Sequence, residues 1–173
     1  MPHIEEVVSF LDQSIRFRPL RAGDRALLED LCRRTEVHDL QMRFFSAFRR
    51  LPPALLDDLV RIDPDRRITL AALGAASSDQ EELLAVARAH ASADGTAELA
   101  LLVRSDLKGK GLGSLLLPRL IARCRSRGLR VLTAVVLQEN TRMLRLAERY
   151  GFRREPTALG ITQLVLDLGP LAA

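Results

Sequence analysis

Six consecutive residues carry the clearest chemical signal in this sequence: Lys108-Gly109-Lys110-Gly111-Leu112-Gly113. Glycines let a backbone approach a ligand closely, and the two lysines add positive charge. A strand-like apolar run, Thr96 to Val103, precedes them, and a helical stripe starts at Leu112. The first N–H groups of a helix have no intrahelical acceptor, so they attract phosphate. The residues thus predict a phosphate or pyrophosphate site, although a plain helix-start loop with turn glycines fits them too. Walker A spacing is absent, and the dinucleotide fingerprint fails because Leu116 stands where its third glycine belongs.

Other reactive types are sparse. Glu98 sits in an otherwise apolar strand, where an unpaired carboxylate is costly if it is buried. Beside the Asp94-Gly95 turn it also reads as a strand-end residue facing water. His38 and His90 read best as structural histidines, with a place for His90 on an acceptor cleft as the alternative. Phe44, Phe45 and Phe48 fit either an acceptor entrance or a core stripe. Cys32 and Cys124 lie far apart in helical patterns, with no CxxC pair and no metal spacing. They read as buried small hydrophobes in a reducing cytoplasm, and no metal is expected.

The elements that must position these residues follow from periodicity and punctuation. Ile15–Arg18 alternates and stops at Pro19, which predicts a first strand. Asp24 is expected to cap a helix through Leu27, Leu28, Leu31 and Cys32. Further helices are predicted over 36–50 and 54–62, the latter with Ile62 inward. Strands are predicted at 68–73, 83–91 and 96–103, with a hairpin loop over 75–82. A helix spans 111–127, with Gly128 as its stop and Pro118 as a potential kink. A strand over 130–137, a helix over 140–150 capped by Asn140, and a strand over 161–168 complete the order. This is a mixed α/β sheet packed by helices. Residues 1–14 are expected as a short helix or loose arm, 15–168 as the domain and 169–173 as a tail.

Composition narrows the function classes. At 173 residues the chain makes one ordinary domain, with 47% hydrophobic and 28% charged residues. No apolar run is long enough for a membrane span, and the acidic N-terminus does not read as a secretory signal. The net charge is +4, but the arginines are interleaved with acids and aromatics are only 4%, so nucleic acid is not expected as a partner.

Two stretches carry a resemblance to a known family. Lys108-x-x-Gly111-x-Gly113 resembles the Q/R-x-x-G-x-G/A signature of the GNAT acetyltransferases, with lysine at its first position. Asn140-Thr141-Arg142-Met143-Leu144 through Tyr150-Gly151-Phe152 is similar to the family's second signature. Met42–Ser46, Ala97–Ala100, Val103–Leu107 and Glu139–Leu144 look like the acetyltransferase domain of bacterial protein lysine acetyltransferases. That domain is often fused to a cyclic-nucleotide-binding or synthetase-like region, for which 173 residues leave no room.

The resemblance implies an α/β (α+β) GNAT fold: a mostly antiparallel central sheet with two splayed strands, flanked by helices. It implies acetyl-CoA as co-substrate and an amine acceptor, most naturally a protein lysine on a target such as an acyl-CoA synthetase. A small amine, a protein N-terminus, and an acyl-CoA-binding module with little turnover are the alternatives. Leu101, Leu102 and Val103 would pair with the pantetheine arm. Lys108, Gly109, Lys110, Gly111, Leu112, Gly113 and Ser114 would hold the pyrophosphate, and Asn140 would offer its amide. Glu98 matches the position of a general base, with burial expected to raise its pKa. The tyrosine that many members place seven residues after the asparagine is Ala147 here, and Tyr150 is expected to face elsewhere. The chain is expected in the cytoplasm, as a monomer or homodimer.

Overall fold

Eight strands form a single sheet in the order β1-β2-β3-β4-β5-β6-β8-β7 in a computed structural model that describes residues 5–75, 80–157 and 160–169. The strands are β1 (Glu6–Phe10), β2 (Gln13–Arg18), β3 (Arg67–Ala75), β4 (Glu81–Ala91), β5 (Thr96–Val103), β6 (Val131–Leu137), β7 (Arg153–Pro156) and β8 (Ile161–Asp167). The helices are α1 (Arg25–Arg33), α2 (Val37–Phe44), α3 (Pro53–Val60), α4 (Leu112–Ser126) and α5 (Thr141–Arg149). All neighbouring strands run antiparallel except β5 and β6.

Alternation along the strands divides the core. In β3, Leu70 and Ala72 pack with α4 and α5, while Ala71 and Leu73 pack with α1 and α3. Successive side chains leave opposite faces of a strand, so both faces of the sheet are covered by helices. Cys32 and Cys124 are buried in these two layers, and burial pushes their thiols up to about 11 and about 12. Both are inert packing residues, as their spacing predicted.

The parallel contact is short. β5 pairs with β6 only at Thr96↔Val131, Ala97↔Leu132 and Glu98↔Thr133. Beyond Glu98, β5 stays with β4 to Val103, while β6 stays with β8 to Leu137. Two half-sheets therefore diverge from Glu98 onward, the expected splay.

Several expectations change. Residues 6–10, expected as helix or loose arm, form a strand paired along its whole length with β2. Its Val7-Val8-Ser9-Phe10 run suits a pleated strand, and Phe10 is buried in the core. The turn is built on Leu11 and Asp12, both at positive φ (47° and 61°). That matches the mirror-image hairpin turn, but without the Asn-Gly or Asp-Gly pair that advertises one. β7, the outer strand beside β8, was likewise not anticipated. α2 ends at Phe44 rather than 50, because Phe45 takes the left-handed conformation (φ 59°). Ile62 is exposed rather than inward. Residues 1–4 of the expected arm, 76–79 of the hairpin loop and 170–173 of the tail lie outside the described residues.

Asp24 does not cap α1 with its side chain. Its carboxylate instead binds Arg18 in a two-pronged pair at 2.6 and 2.8 Å and accepts from the Arg21 N–H. Pro118 does not break α4, which runs unbroken from Leu112 to Ser126. The Ser114 carbonyl, which a Pro118 N–H would have bonded, accepts from the Tyr150 hydroxyl at 2.8 Å.

Candidate functional site

The divergence of β5 from β6 opens a cleft of about 370 Å³. One wall is Leu99–Val103 of β5, and another is Ala134, Val135 and Val136 of β6. Among the described residues, the edge of β5 that faces β6 has no strand partner past Glu98. An extended chain entering there meets backbone N–H and C=O groups in strand register, the chemistry of strand addition.

At the end of β5 the chain turns through Ser105–Leu107 into the glycine loop. Gly109 and Gly111 stand at φ 77° and 100°, where L-residues are strained, and among the described residues no atom beyond their chain neighbours lies within 4 Å of a side-chain position at either. Their backbone is therefore open to a ligand. No side chain caps α4, and among the described residues no acceptor pairs with the N–H groups of Leu112, Gly113 or Ser114. The loop and helix start thus present unpaired donors to the cleft, which fits a pyrophosphate.

The predicted residues divide as follows. Glu98, Leu101, Leu102, Val103, Lys108, Gly109, Gly111, Gly113, Ser114 and Asn140 all line the cleft. Lys110 is exposed outside its wall, and the Leu112 side chain is buried in the core, which leaves that residue its backbone N–H alone. Asn140 Oδ1 accepts from the Met143 N–H at 3.2 Å, so the predicted cap is real while the side chain still borders the cleft. Glu98 lies at the vertex of the splay, but it is exposed rather than buried. The expected burial is therefore corrected. The next turn of strand points inward at Leu99, whereas Glu98 falls on the alternate, open side. His90 pairs with Glu98 in register on β4 and is exposed. Ala147 is buried, and Tyr150 is outside the cleft wall.

Of a third wall, sequence reasoning offered only Phe45 and missed the rest. Asp39, Met42, Arg43 and Phe45 of α2 and its end reach the cleft. The aromatic stretch splits: Phe44 and Phe48 pack against the core, and Phe45 stands exposed at the opening. Lys108 binds Asp39 at 2.6 Å, and Ser105 accepts from the Glu36 N–H at 2.8 Å and donates to Asp39. These bonds fasten α2 across the end of β5. Burial works to raise the Asp39 carboxyl, but hydrogen bonds from Lys108 and Ser105 outweigh it and hold it below the ordinary range. Burial pushes the Arg43 guanidinium down to about 10, with the Glu98 charge pulling the other way. Burial also lowers Arg88 to about 10, helped by the charges of Arg43 and Arg67. A cation and a carboxylate therefore share the cleft near the vertex of the splay. Spacing within α2 cannot reveal this, since loop packing over 60 residues of sequence brings it there. Among the described residues no His/Cys/Asp/Glu group could hold a metal.

The chain is similar to several known proteins. The Acetyltransferase (GNAT) family model matches residues 34–152. Acetyltransferase PA5475 of Pseudomonas aeruginosa is 29% identical over 144 residues, covering 82% of this chain and 77% of that protein. The GNAT domain of S. lividans PAT superposes with a TM-score of 0.83 at 27% identity, over 94% of this chain and 96% of that one. The yncA protein of Salmonella typhimurium, solved with its cofactor acetyl-CoA, shares the fold at a TM-score of 0.70 and 22% identity, over 92% and 96% of the two chains.

Proposed function

This chain belongs to the GNAT acetyltransferase family, and we propose that it moves an acetyl group from acetyl-CoA to the side-chain amine of a protein lysine. The observation that carries this reading is the continuity of one groove. The unpaired edge of β5 leads from Glu98 at the vertex to the open donors of the glycine loop. The pantetheine arm would add to β5 along Leu101–Val103, and the pyrophosphate would rest on loop 108–113. Asn140 borders the arm from the far side.

The thioester then falls near the vertex, beside Glu98. A lysine ammonium titrates near about 10.4, so a base must take its proton. Glu98 takes it. The amine nitrogen forms a bond to the acetyl carbon, and the C–S bond breaks. A thiol titrates near about 8.5, so the sulfur leaves as thiolate without a dedicated donor, consistent with alanine at position 147. A β5 amide at Leu101 or Val103 would polarise the acetyl carbonyl. Phe45 and Val135, exposed at the borders of the cleft, suit the aliphatic stem of a lysine.

The preference for a protein acceptor rests on the likeness to the S. lividans PAT domain and on the matching segments around Arg43 and Asn140. The test is incubation with acetyl-CoA and an acyl-CoA synthetase, followed by mass spectrometry of the synthetase. Acetyl-lysine at defined positions is the expected result. Acetylation confined to free amines or N-termini would move the acceptor to a smaller class. Coenzyme binding with no acylated amine would make the chain a binding module.

A further inference from the structure

Arg43 of α2 and Arg88 of β4 stand together on one face of the sheet, near Glu98. Arg88 pairs with Ala100 in the β4–β5 register, and His90 pairs with Glu98. Residues two apart on a strand share a face, so Arg88, Glu98, Ala100 and Leu102 look the same way. Arg43, Ala100 and Leu102 line the cleft. The same three line a small adjoining hollow together with Arg88. Arg43 is thus part of the cleft wall, and Arg88 lies just beyond it.

Both cations are half-buried, and among the described residues neither forms an ion pair within 4.0 Å. Asp58, whose charge acts on Arg88, is held by Arg67 at 2.8 Å. Arg88 donates instead to the Leu59 carbonyl. Arg43 makes no side-chain hydrogen bond among the described residues and lies over the Phe44 ring, 4.7 Å from its centre. Burial brings both guanidinium groups down to about 10, and the Arg43 charge adds to the effect at Arg88. A desolvated cation without a partner is unfavourable, and an arriving anion relieves it.

The coenzyme is poorly placed to bring that anion. Its phosphates belong at the loop, and from Glu98 to Val103 β5 spans roughly 16 Å at about 3.3 Å per residue. Asp39 of α2 is fastened to Lys108 at the loop end. Arg43 lies one turn, about 6 Å, further along α2, where it feels the Glu98 charge. The thioester itself is uncharged, which leaves the acceptor as the source. In an extended peptide, residues two apart share a face at a spacing of about 7 Å. A lysine with its amine at Glu98 can therefore lay such a neighbour against Arg43. We propose that Arg43, backed by Arg88, binds a carboxylate of the acceptor, carried by an acidic residue beside the target lysine. A guanidinium fork holds both carboxylate oxygens at once. Stacking on Phe44 is a purely structural role and predicts no preference among acceptors.

This inference deepens the lysine reading above and rests on it. Initial rates with acetyl-CoA are measured on two end-capped peptides, with Glu or Gln at both positions two residues from the lysine. Nα-acetyl-lysine and its amide form a second pair, in which the carboxylate belongs to the amino acid itself. The enzymes are wild type, R43Q, R43K and R50Q, an exposed control outside the cleft wall. The wild type is expected to favour the Glu peptide at least about tenfold in kcat/KM, the scale of a hydrogen bond to a charged group, with the difference in KM. R43Q closes the gap, R43K narrows it and R50Q keeps it. Titration with acetyl-CoA shows that R43Q is folded. No gap in either pair, or a gap that survives R43Q, overturns the subsite while lysine acetylation stands. A gap confined to the acetyl-lysine pair keeps the carboxylate subsite and overturns the flanking acid. No reaction with any of these amines, although acetyl-CoA binds, overturns both readings.

Discussion

The Tyr150 hydroxyl donates to the Ser114 carbonyl at 2.8 Å, in the place a backbone N–H would hold if residue 118 were not proline. The proline is therefore compensated by a side chain from a different helix. That bond also commits the one tyrosine of the chain to structure. Tyr150→Phe is expected to lower stability by about 1 kcal/mol, the net worth of one hydrogen bond, with turnover retained below the unfolding range. Urea unfolding and steady-state rates check it. A large fall in kcat with unchanged stability would give Tyr150 the proton-donor role denied to it here.

Glu98→Gln removes the proposed base while keeping the shape of the side chain at the vertex. Turnover is expected to fall by about two to four orders of magnitude, the usual contribution of general-base catalysis. Affinity for acetyl-CoA, measured by titration, stays near the wild-type value because the loop that would bind it is untouched. Full activity in this variant would end the base assignment.

Gly111→Ala isolates backbone strain, because among the described residues no atom beyond the chain neighbours lies within 4 Å of the added carbon while φ stands at 100°. An L-residue in left-handed backbone costs about 1–2 kcal/mol. Relief of that strain turns the loop's donors away from the groove. Acetyl-CoA is expected to bind about tenfold or more weakly, in line with that cost. Unchanged affinity would put the phosphates elsewhere.

Asp24→Asn breaks the buried pair with Arg18, whose neighbour Glu81 remains only at 3.7 Å. Loss of one partner from a buried ion pair costs about 3 kcal/mol or more. Burial tends to raise the Asp24 carboxyl, but the Arg18 and Arg21 contacts win and hold it below its ordinary 3.8. A carboxyl with a depressed folded value contributes fully above its unfolded value and loses that contribution as pH falls through the folded one. Wild-type stability should therefore drop as pH falls below about 4, and the variant should show a shallower drop. Unfolding midpoints across that range decide it; equal slopes would remove Asp24 from the account.

The local signals were legible wherever one segment settles its own state. Gly111 and Gly113 before the Leu112 stripe, Asn140 before its helix, and the alternation of 96–103 each depend on neighbours in sequence, and each element stands where its spacing put it. Residues 6–10 were misread because their strand exists only by pairing with β2, through a turn of two residues whose types do not announce positive φ.

The sequence by itself determined the order of elements from β2 to α5, the glycine loop and the candidate residues on β5, because periodicity and φ preferences act over a few residues. Only the tertiary structure decided how those residues are used. It ended the β5–β6 pairing at Glu98 and left that carboxylate exposed beside Arg43. It spent Lys108 on Asp39 and brought α2 to the cleft. These are contacts between segments far apart in the chain. Their geometry follows from packing two helical layers on one twisted sheet, which no local pattern encodes.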